Sequence, residues 1–433
     1  MRLRKRAVQV SVSCLRALVK KPEPFLYIWY NGPMKRTDTL PRRIGIDARF
    51  YGPLGKGLGR YTKETVDNIL RLDPLNEYVI FLSKANFDEL VTDNPRVKKV
   101  LADVRWYGLA EQLKMPGLIR KEKLDLMHFP HFNIAVFCPV PFVVTIHDLI
   151  LTKFPTTRAT TLGPILYFIK NLLYKLVIGR AVHGARRVIA VSEYTRDDIA
   201  THFRVARERI AMVYEGLSAL EPDADSKFAA KLSAAEVLSG YCILEPYLLY
   251  VGNAYPHKNL ESLILVFKKL QATRPDLKLV LVGKDDYFYT RLKLFATQQG
   301  LWSEKNKDAN PVIFPGYVPD RQLETLYARA AAYVFPSKYE GFGLPPLEAM
   351  ARRCPVASSN QTCLPEVLGE AATYFDPNNL DDMAGCVGRL LDDPALRSEL
   401  IRRGLERAAL YSWERGASET IDIYRQALAT GND

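Results

Sequence analysis

The sequence predicts an α/β protein with two domains, each built around a parallel sheet. The chain of 433 residues is long enough to form two hydrophobic cores of ordinary size. Short apolar runs, for example residues 247–252 and 279–283, have the length and composition of buried parallel strands. Each of these runs is followed by a polar or glycine-containing loop and then by a helix-like segment, which is the alternation that parallel sheets require.

The composition is that of a globular protein, with 48% hydrophobic and 25% charged residues. No uncharged apolar stretch reaches the roughly 18 residues that a membrane-spanning helix needs. The cysteines are scattered and form no C-x-x-C pair, which argues for a reducing compartment and against a zinc site or a disulfide framework. We therefore expect a cytoplasmic protein. The six cysteines are Cys14, Cys138, Cys242, Cys354, Cys363 and Cys386.

The net charge of +12 is concentrated at the start of the chain. Residues 1–43 contain eleven Lys and Arg and two acidic residues, so they carry +9 and the remaining chain carries only +3. A nucleic-acid partner is therefore not expected. Residues 1–40 form a basic extension without a core-forming pattern, and three interpretations compete. We favour a disordered tail or sequence upstream of a misassigned start over a membrane-surface helix.

The predicted first domain spans residues 41–217 and begins with a strand at 44–49. A glycine-rich loop at 52–61 then leads into a helix, and its Gly57 and Gly59 are suited to a phosphate or, alternatively, to a tight turn. The loop is not a Walker A motif, because Leu58 and Gly59 stand where Lys and Ser or Thr are required.

Histidines end two further strands of the first domain. Strands are predicted at 78–82, 97–101, 124–129, 142–149 and 186–192. In an open parallel sheet, ligands lie beyond the carboxyl ends of the strands, where His128 and His147 are expected, and His131 follows nearby. A lone histidine is usually structural, so His128 and His131 are the weaker candidates.

A strongly apolar segment at 164–177 allows two interpretations. It is a core helix, or it is a surface helix whose Lys170 and Lys175 lie against anionic lipid. The core helix is favoured, because apolar helices of large domains are mostly buried.

The second domain is predicted at 247–412, after a linker at 218–246 and before a last helix at 413–430. Its first strand leads to Lys258 at a helix start, where a point charge suits phosphate. Residues 330–335 predict another buried strand, followed by a loop with Glu340 and a helix with Glu348. A strand, a glycine-containing loop and a helix N-terminus form an anion site, and carboxylates suit sugar hydroxyls.

Two of these segments resemble one known family. Residues 335–350, with glutamates eight positions apart in a strand–loop–helix frame, resemble the E-x7-E element of the retaining glycosyltransferases of family 4. These enzymes have the GT-B fold, in which two Rossmann-like domains face each other and the donor site lies in the cleft between them. Residues 252–259 resemble the family pattern G-x-x-x-P-[RH]-K-N, with Asn253 where some members carry Arg. The resemblance covers residues 42–430 and implies that the last helix crosses back onto the first domain.

The resemblance implies transfer of a sugar from a nucleotide diphosphate to a hydroxyl of a glycan or a lipid-linked acceptor, without a metal or cofactor. The leaving phosphate oxygen then helps to take the acceptor proton. The implied catalytic residues are Glu340, Lys258 and His147. A peripheral contact with an anionic membrane is the further partner to consider. The implied donor-binding residues are Gly57, Gly59, Gly252, Asn253, Tyr317, Val318, Gly341, Phe342, Gly343, Leu344 and Glu348.

Segments 106–112, 145–149 and 251–253 look most like mannosyltransferases of surface polysaccharide assembly, so GDP-mannose is the first expected donor. A UDP- or dTDP-sugar transferase of the same fold remains the alternative, as do a nucleotide-sugar epimerase and a sugar-phosphate synthase. A non-catalytic nucleotide-sugar-binding protein is disfavoured by the intact Lys258, Glu340 and Glu348. A dinucleotide-dependent dehydrogenase is excluded, because no G-x-G-x-x-G with a following acid is present.

Overall fold

The computed structural model describes residues 40–154, 164–217 and 232–429. The expectations for the basic extension and for the first half of the linker lie outside the described residues. From Pro41 onward the chain forms one compact unit, which holds two separate parallel sheets.

The first sheet has seven parallel strands in the order β3-β2-β1-β4-β5-β6-β7. Helices cover both faces, so β4 and β5 are mostly apolar and fully buried, with His128 and Thr145 as their polar residues. The strands are β1 (Arg43–Asp47), β2 (Glu77–Leu82), β3 (Val97–Leu101), β4 (Leu126–Phe129), β5 (Phe142–Ile146), β6 (Arg187–Ala190) and β7 (Ile210–Met212), and the helices are α1 (Lys56–Leu72), α2 (Leu109–Lys121), α3 (Ile150–Lys153), α4 (Pro164–Gly184) and α5 (Glu193–Phe203).

The second sheet has six parallel strands in the order β10-β9-β8-β11-β12-β13. The two parallel α/β layers confirm the predicted fold class. The strands are β8 (Tyr247–Val251), β9 (Lys278–Val282), β10 (Val312–Gly316), β11 (Ala332–Phe335), β12 (Val356–Ser359) and β13 (Ala372–Phe375), and the helices are α6 (Ala234–Gly240), α7 (Leu260–Gln271), α8 (Tyr287–Gln298), α9 (Asp320–Arg329), α10 (Leu344–Ala351), α11 (Leu364–Leu368), α12 (Leu380–Asp392) and α13 (Pro394–Ala408).

The last helix, α14 (Trp413–Ala429), packs on the first sheet although it follows the second in sequence. Its Ile421 and Tyr424 lie in one buried cluster with Ile44 and Ile46 of β1. The side chain of Arg186 donates a hydrogen bond to the carbonyl of Ala427 at 2.7 Å. Helix α14 therefore completes the core of the first domain.

Helix α1 begins earlier than the sequence predicts. Residues 53–55 form a 3₁₀ turn, and α1 starts at Lys56, so Gly57 and Gly59 lie in its first turn and not in a loop. A Cβ on Gly59 would stand 2.0 Å from the carbonyl oxygen of Gly52, which shows that Gly59 permits this tight approach. A Cβ added to Gly57 would have no other atom within 4 Å.

The favoured prediction of a core helix at 164–177 is wrong for the part that the structure describes. Phe168 is 69% exposed and Leu176 is 60% exposed, and Ile169, Leu172 and Leu173 are exposed as well. Among the residues of α4 whose burial is described, those from Ile178 onward anchor the helix, through buried side chains such as Ile178 and Val182. None of the helices in the described ranges is long and apolar enough to cross a membrane.

Candidate active site

The site lies at the carboxyl edge of the second sheet, where the strand order reverses between β8 and β11. The loops that follow these two strands are joined by a hydrogen bond from the amide of Lys338 to the carbonyl of His257, 2.8 Å long. The ammonium of Lys258 in one loop lies 2.6 Å from a carboxylate oxygen of Glu340 in the other. The structure thus brings two predicted catalytic residues, 82 positions apart, into one ion pair.

Local backbone geometry fixes both charges. Lys258 ends a 3₁₀ turn at Pro256–Lys258, and the following Asn259 has a left-handed φ of 61° and donates through its side chain to the carbonyl of Pro377. The amide of Glu340 donates to the hydroxyl of Thr362 at 3.2 Å. The side chains of the pair are 14% and 9% exposed, so each shields the other in a largely dry environment.

Helix α10 begins at the end of the Glu340 loop. Its N-cap, Gly343, has a φ of +93°, and a Cβ there would lie 2.8 Å from the side chain of Leu364, so the position suits glycine. Prolines in the first turn leave fewer N–H groups at this helix start than usual. The predicted Glu348 lies one turn further, where it accepts from Tyr327 at 3.2 Å and pairs with Arg60 of α1 at 2.5 Å.

His147 of the first domain reaches the same region. A Cβ on Gly341 would stand 1.8 Å from the carbonyl oxygen of His147, and the carbonyl of Gly341 accepts from the hydroxyl of Ser192 at 2.7 Å. The ring nitrogens of His147 lie 3.0 Å from a carboxylate oxygen of Glu215 and 2.9 Å from the carbonyl of Pro130. Burial lowers the pKa of His147, but the hydrogen bond and charge of Glu215 outweigh burial and raise that pKa overall.

Gly57 and Gly59 lie in α1 of the first domain, whereas the remaining predicted donor-binding residues follow strands of the second sheet. Gly252, with a φ of +152°, donates to Val282, and Gly283 donates to Gly316. These bonds join the loops after β8, β9 and β10. Tyr317 in the last of these loops is 72% exposed, whereas Val318 is buried. The side-chain oxygen of Asn253 accepts from the amide of Tyr255, and Leu344 is partly buried at the start of α10.

Phe342 differs from the other loop residues, because its ring is buried. It packs near the rings of Tyr214 and Tyr411 at centroid distances of 6.0 and 5.5 Å. Its side chain therefore anchors the loop in the core, and its carbonyl accepts from the thiol of Cys363 at 3.2 Å.

The expectation that His128 lies among ligand-facing groups is wrong. His128 is fully buried between the first sheet and α14, and its ring nitrogens bond to the hydroxyls of Tyr424 at 2.6 Å and Thr145 at 3.0 Å. Burial, followed by the charge of His147, lowers the pKa of His128 to about 3. It is a neutral structural histidine.

Three further charged groups face the site and were not predicted: Arg60, Asp148 and Glu215. Arg60 and Glu215 each contact a predicted residue, as described above. Burial raises the pKa of Asp148, whose charge environment includes His147, Glu340 and Lys258. Asp148 lies two residues after β5 and Glu215 lies three residues after β7. Because ligands bind beyond the carboxyl ends of parallel strands, these positions in the sequence could have identified both residues.

Metal ligands do not cluster in this part of the chain. Among the residues that the structure describes, no group of three or more His, Cys, Asp and Glu side chains is placed to hold a metal ion. The charges at the site are instead supplied by side chains: Lys258, Arg60 and His147 on the basic side, and Glu340, Glu348 and Asp148 on the acidic side.

Comparison with known proteins gives a consistent result. The family model described as Glycosyl transferases group 1 matches residues 244–407, and the model described as Glycosyltransferase Family 4 matches residues 56–219. The O-antigen chain mannosyltransferase B of Escherichia coli is 29% identical over 393 residues, which cover 85% of this chain and 96% of that relative.

Solved structures agree in fold. Sucrose-phosphate synthase from Thermosynechococcus elongatus superposes with a TM-score of 0.67 at 20% identity, over 90% of this chain and 100% of that one. The Anabaena protein HepE in complex with UDP-glucose superposes with a TM-score of 0.64 at 16% identity, over 88% and 99% of the two chains.

Proposed function

Because this chain belongs to the group 1 glycosyltransferases of family 4, we propose that it moves a sugar from a nucleotide diphosphate to a hydroxyl of a glycan or lipid-linked acceptor, with retention of the anomeric configuration. The observation that carries this proposal is the buried Lys258–Glu340 pair at the switch point of the second sheet. One member of the pair suits an anionic leaving group and the other suits sugar hydroxyls.

In this proposal, Lys258 lies against the diphosphate, and the ammonium stabilises the charge that grows as the glycosidic C–O bond breaks. Backbone N–H groups of residues 341–343 add uncharged donors. The acceptor hydroxyl attacks the anomeric carbon from the face that the diphosphate leaves. Its proton passes to the leaving phosphate oxygen, so no side chain has to act as a base.

Glu340 and His147 have separate tasks. Glu340 accepts hydrogen bonds from hydroxyls of the donor sugar and so holds the anomeric carbon within reach of the acceptor hydroxyl. His147 faces Glu215 and the carbonyl of Pro130, and its raised pKa favours the cationic form. A fixed imidazolium at the cleft adds a second positive charge beside the diphosphate. Glu348, Gly252 and the 317–318 loop bind the nucleoside part.

Mannose, donated by GDP-mannose, is the sugar that we propose. The relative named as an O-antigen chain mannosyltransferase supports it, together with the resemblance of segments 106–112, 145–149 and 251–253 to mannosyltransferases. The test is a panel of GDP-mannose, UDP-glucose, UDP-GlcNAc and dTDP-rhamnose, with nucleotide release measured with and without acceptor. Turnover of a different member of the panel would replace the proposed donor, and turnover of none would overturn the transferase proposal.

The proposed reaction proceeds without a metal ion, since the positive charges at the leaving group are Lys258 and His147. We expect EDTA to leave turnover and GDP binding unchanged. Loss of turnover in EDTA that Mn²⁺ or Mg²⁺ restores would overturn this part of the proposal.

We also propose that α4 lies on an anionic membrane surface, which fits a lipid-linked acceptor. Residues 168–176 of α4 present exposed Phe168, Leu172 and Leu176 together with exposed Lys170 and Lys175, and the helix contains no acidic residue. An apolar face flanked by lysines matches the boundary between acyl chains and anionic headgroups, whereas a protein partner would require complementary acids.

A further inference from the structure

The switch point of the first sheet, between β1 and β4, carries a set of rings that the roles above leave unused. The loops after β1, β3 and β4 bring these rings together beside α4. Phe50 stacks on Trp106 with centroids 4.2 Å apart, His131 lies 4.0 Å from Phe132, and Phe132 meets Tyr174 of α4 at 5.0 Å. The aromatic surface consists of Phe50, Trp106, Tyr107, His131, Phe132 and Tyr174.

Tyr107 is the most exposed of these rings, at 58%, and its backbone has a left-handed φ of 58° that tyrosine rarely adopts. Buried hydrogen bonds and an ion pair stabilise this conformation. The amide of Tyr107 donates to Glu111, whose carboxylate is fully buried and also accepts from Arg49 at 2.5 Å and from Asn133 at 2.7 Å. A buried charge network thus fixes a strained loop that presents a large ring to the cleft, which is a feature of binding sites.

The inner end of the aromatic surface adjoins the proposed reaction centre. The rings of His131 and His147 are 6.3 Å apart, and His131 lies 3.5 Å from the hydroxyl of Tyr107. Burial raises the pKa of Tyr174 to about 12. Asp148 directly follows His147 in the chain, so it lies beyond the same end of β5. Burial, followed by His147, keeps the pKa of His131 well below its ordinary value, so its ring is neutral.

One buried polar group of this region lacks a hydrogen-bond partner among the described residues. The indole nitrogen of Trp106 is buried without a hydrogen-bond partner in the described part of the chain. Asp148 uses one carboxylate oxygen to accept from the amide of Ile150 at 2.8 Å. By contrast, Arg49 is enclosed by Asp47 and Glu111 and is fully buried, so it is not placed to receive an anion. The surface combines uncharged ring faces with a hydroxyl, an imidazole and a carboxylate.

We propose that this aromatic surface binds the acceptor, that the acceptor end to be glycosylated is an uncharged sugar ring and not a phosphate, and that the ring stacks on Tyr107. A pyranose has apolar C–H faces and a rim of hydroxyls, which match ring faces and the polar groups at the inner end. Ligands bind at the switch points of open parallel sheets, and this surface occupies the switch point that faces the donor site. The inference rests on the proposed transferase function.

The test measures transfer to a panel of octyl hexosides (mannoside, glucoside, galactoside and N-acetylglucosaminide), with the donor that the enzyme turns over. Tyr107→Ala should raise the KM for the octyl hexoside about tenfold, as expected for loss of an aromatic anchor, and leave GDP affinity within about twofold. Tyr107→Phe keeps the ring and should retain a KM near that of the wild type. Tyr287→Ala, which removes a 54% exposed tyrosine of the second domain, is the matched control.

The outcomes separate the two proposals. An unchanged acceptor KM in Tyr107→Ala overturns the stacking site alone. The same holds if the wild-type enzyme binds GDP and cleaves the donor but glycosylates no octyl hexoside. If the wild-type enzyme neither binds GDP nor cleaves any donor, the transferase proposal falls, and the acceptor site falls with it.

Discussion

At the scale of single residues, His147 is held through both of its ring nitrogens. Both partners of its ring nitrogens, the carboxylate of Glu215 and the carbonyl of Pro130, only accept hydrogen bonds. A neutral imidazole donates through one nitrogen, so only the imidazolium satisfies both partners. The upward shift of the pKa of His147 follows from this arrangement, because Glu215 outweighs the effect of burial. The structure therefore favours the imidazolium form of His147 at the cleft.

This arrangement predicts a pH-dependent stability. Below the ordinary histidine pKa of about 6.5, His147 is protonated in the folded and the unfolded chain, so its pair with Glu215 contributes fully. As the pH rises through the raised folded-state pKa, that contribution is lost. Glu215→Gln should therefore cost about 1.5–3 kcal/mol near pH 6 and less near pH 9, measured as the shift in melting temperature.

The titratable groups near His147 do not account for the expected difference between the wild type and Glu215→Gln. Asp148 raises the pKa of His147 further, while His128 and His131 have lowered pKa values and stay neutral over most of that range. They are present in the wild type and in Glu215→Gln, so the difference between the two proteins isolates the pair. An equal difference in melting temperature at both pH values would contradict a charged His147.

The Lys258–Glu340 pair predicts unequal effects of two substitutions. Glu340→Ala should lower kcat by about 30- to 1000-fold, equivalent to about 2–4 kcal/mol, because the donor sugar loses its acceptor of hydrogen bonds. GDP affinity should change much less, since Glu340 holds the sugar. Lys258→Ala should lower both kcat and GDP affinity, because the lost ammonium faces the diphosphate. Transfer kinetics and calorimetry with GDP measure the two quantities.

A control separates this effect from the loss of any ion pair. Lys269→Ala breaks a pair with Asp381 of the same 2.6 Å length on the surface, where the side chains are 48% and 87% exposed, and should leave both quantities unchanged. Glu348→Ala should cost less kcat than Glu340→Ala. Near-normal turnover in a folded Glu340→Ala would make the loop after β11 a structural loop, and the site assignment would have to be abandoned.

At the scale of elements, local patterns identified many of the strands, missed β7 and β13, and misjudged one helix. The predicted strand at 247–252 matches β8, and the run at 279–283 matches β9. The strand predicted at 142–149 ends at Ile146, because its neighbour β6 ends at Ala190 and offers no ladder partner beyond that register. Ladder partners come from distant segments, so a single run of residues does not encode where a strand stops.

Helix α4 was misjudged for a different reason. Its apolar residues lie on all sides, so periodicity does not say which side is covered. Such a helix is expected in a core. In the structure, residues from Ile178 onward pack on the sheet, whereas residues 168–176 include exposed apolar side chains and lysines. A core helix and a surface helix can have the same apolar composition, so tertiary packing determines which part of α4 is buried.

The membrane proposal for α4 predicts lipid-dependent binding. The wild type should co-sediment with vesicles that contain phosphatidylglycerol and not with purely phosphatidylcholine vesicles. Lys170→Gln with Lys175→Gln should weaken binding about 30-fold, since each basic residue near an anionic surface contributes about 1 kcal/mol. Leu172→Ser with Leu176→Ser should weaken it as well, through loss of buried apolar area.

The control for this prediction removes two exposed leucines elsewhere. Leu75→Ser with Leu294→Ser, which are 67% and 60% exposed, should leave vesicle binding unchanged. Equal weakening by this control would show nonspecific adsorption. Concentration-dependent self-association that the α4 variants abolish, without vesicle binding in the wild type, would instead make α4 a contact between copies of the chain.

At the scale of the whole molecule, contacts that cross the cleft join the two domains. Glu366 of α11 accepts from the amides of Glu193 and Tyr194 at the start of α5, and Ser192 donates to Gly341. Arg60 and Glu348 add an ion pair between residues 288 positions apart. The sequence indicated Lys258 and Glu340, because strand–loop–helix frames are local. Arg60 was missed, because its partner depends on how two domains meet, which no local pattern encodes.

The Arg60–Glu348 pair also predicts how the cleft responds to its loss. The side chains are 33% and 12% exposed, so the pair is partly screened and contributes about 1 kcal/mol to the closed arrangement. Arg60→Ala should therefore shift the ratio of closed to open molecules about fivefold toward open, seen as a larger radius of gyration in X-ray scattering without nucleotide.

Arg329→Ala, which breaks the pair with Glu245 inside the second domain, should leave the radius unchanged. High salt should enlarge the wild type toward the Arg60→Ala value and affect that variant less, because added ions screen the pair. Identical radii for Arg60→Ala and the wild type at low salt would show that the other contacts across the cleft hold the domains together without it.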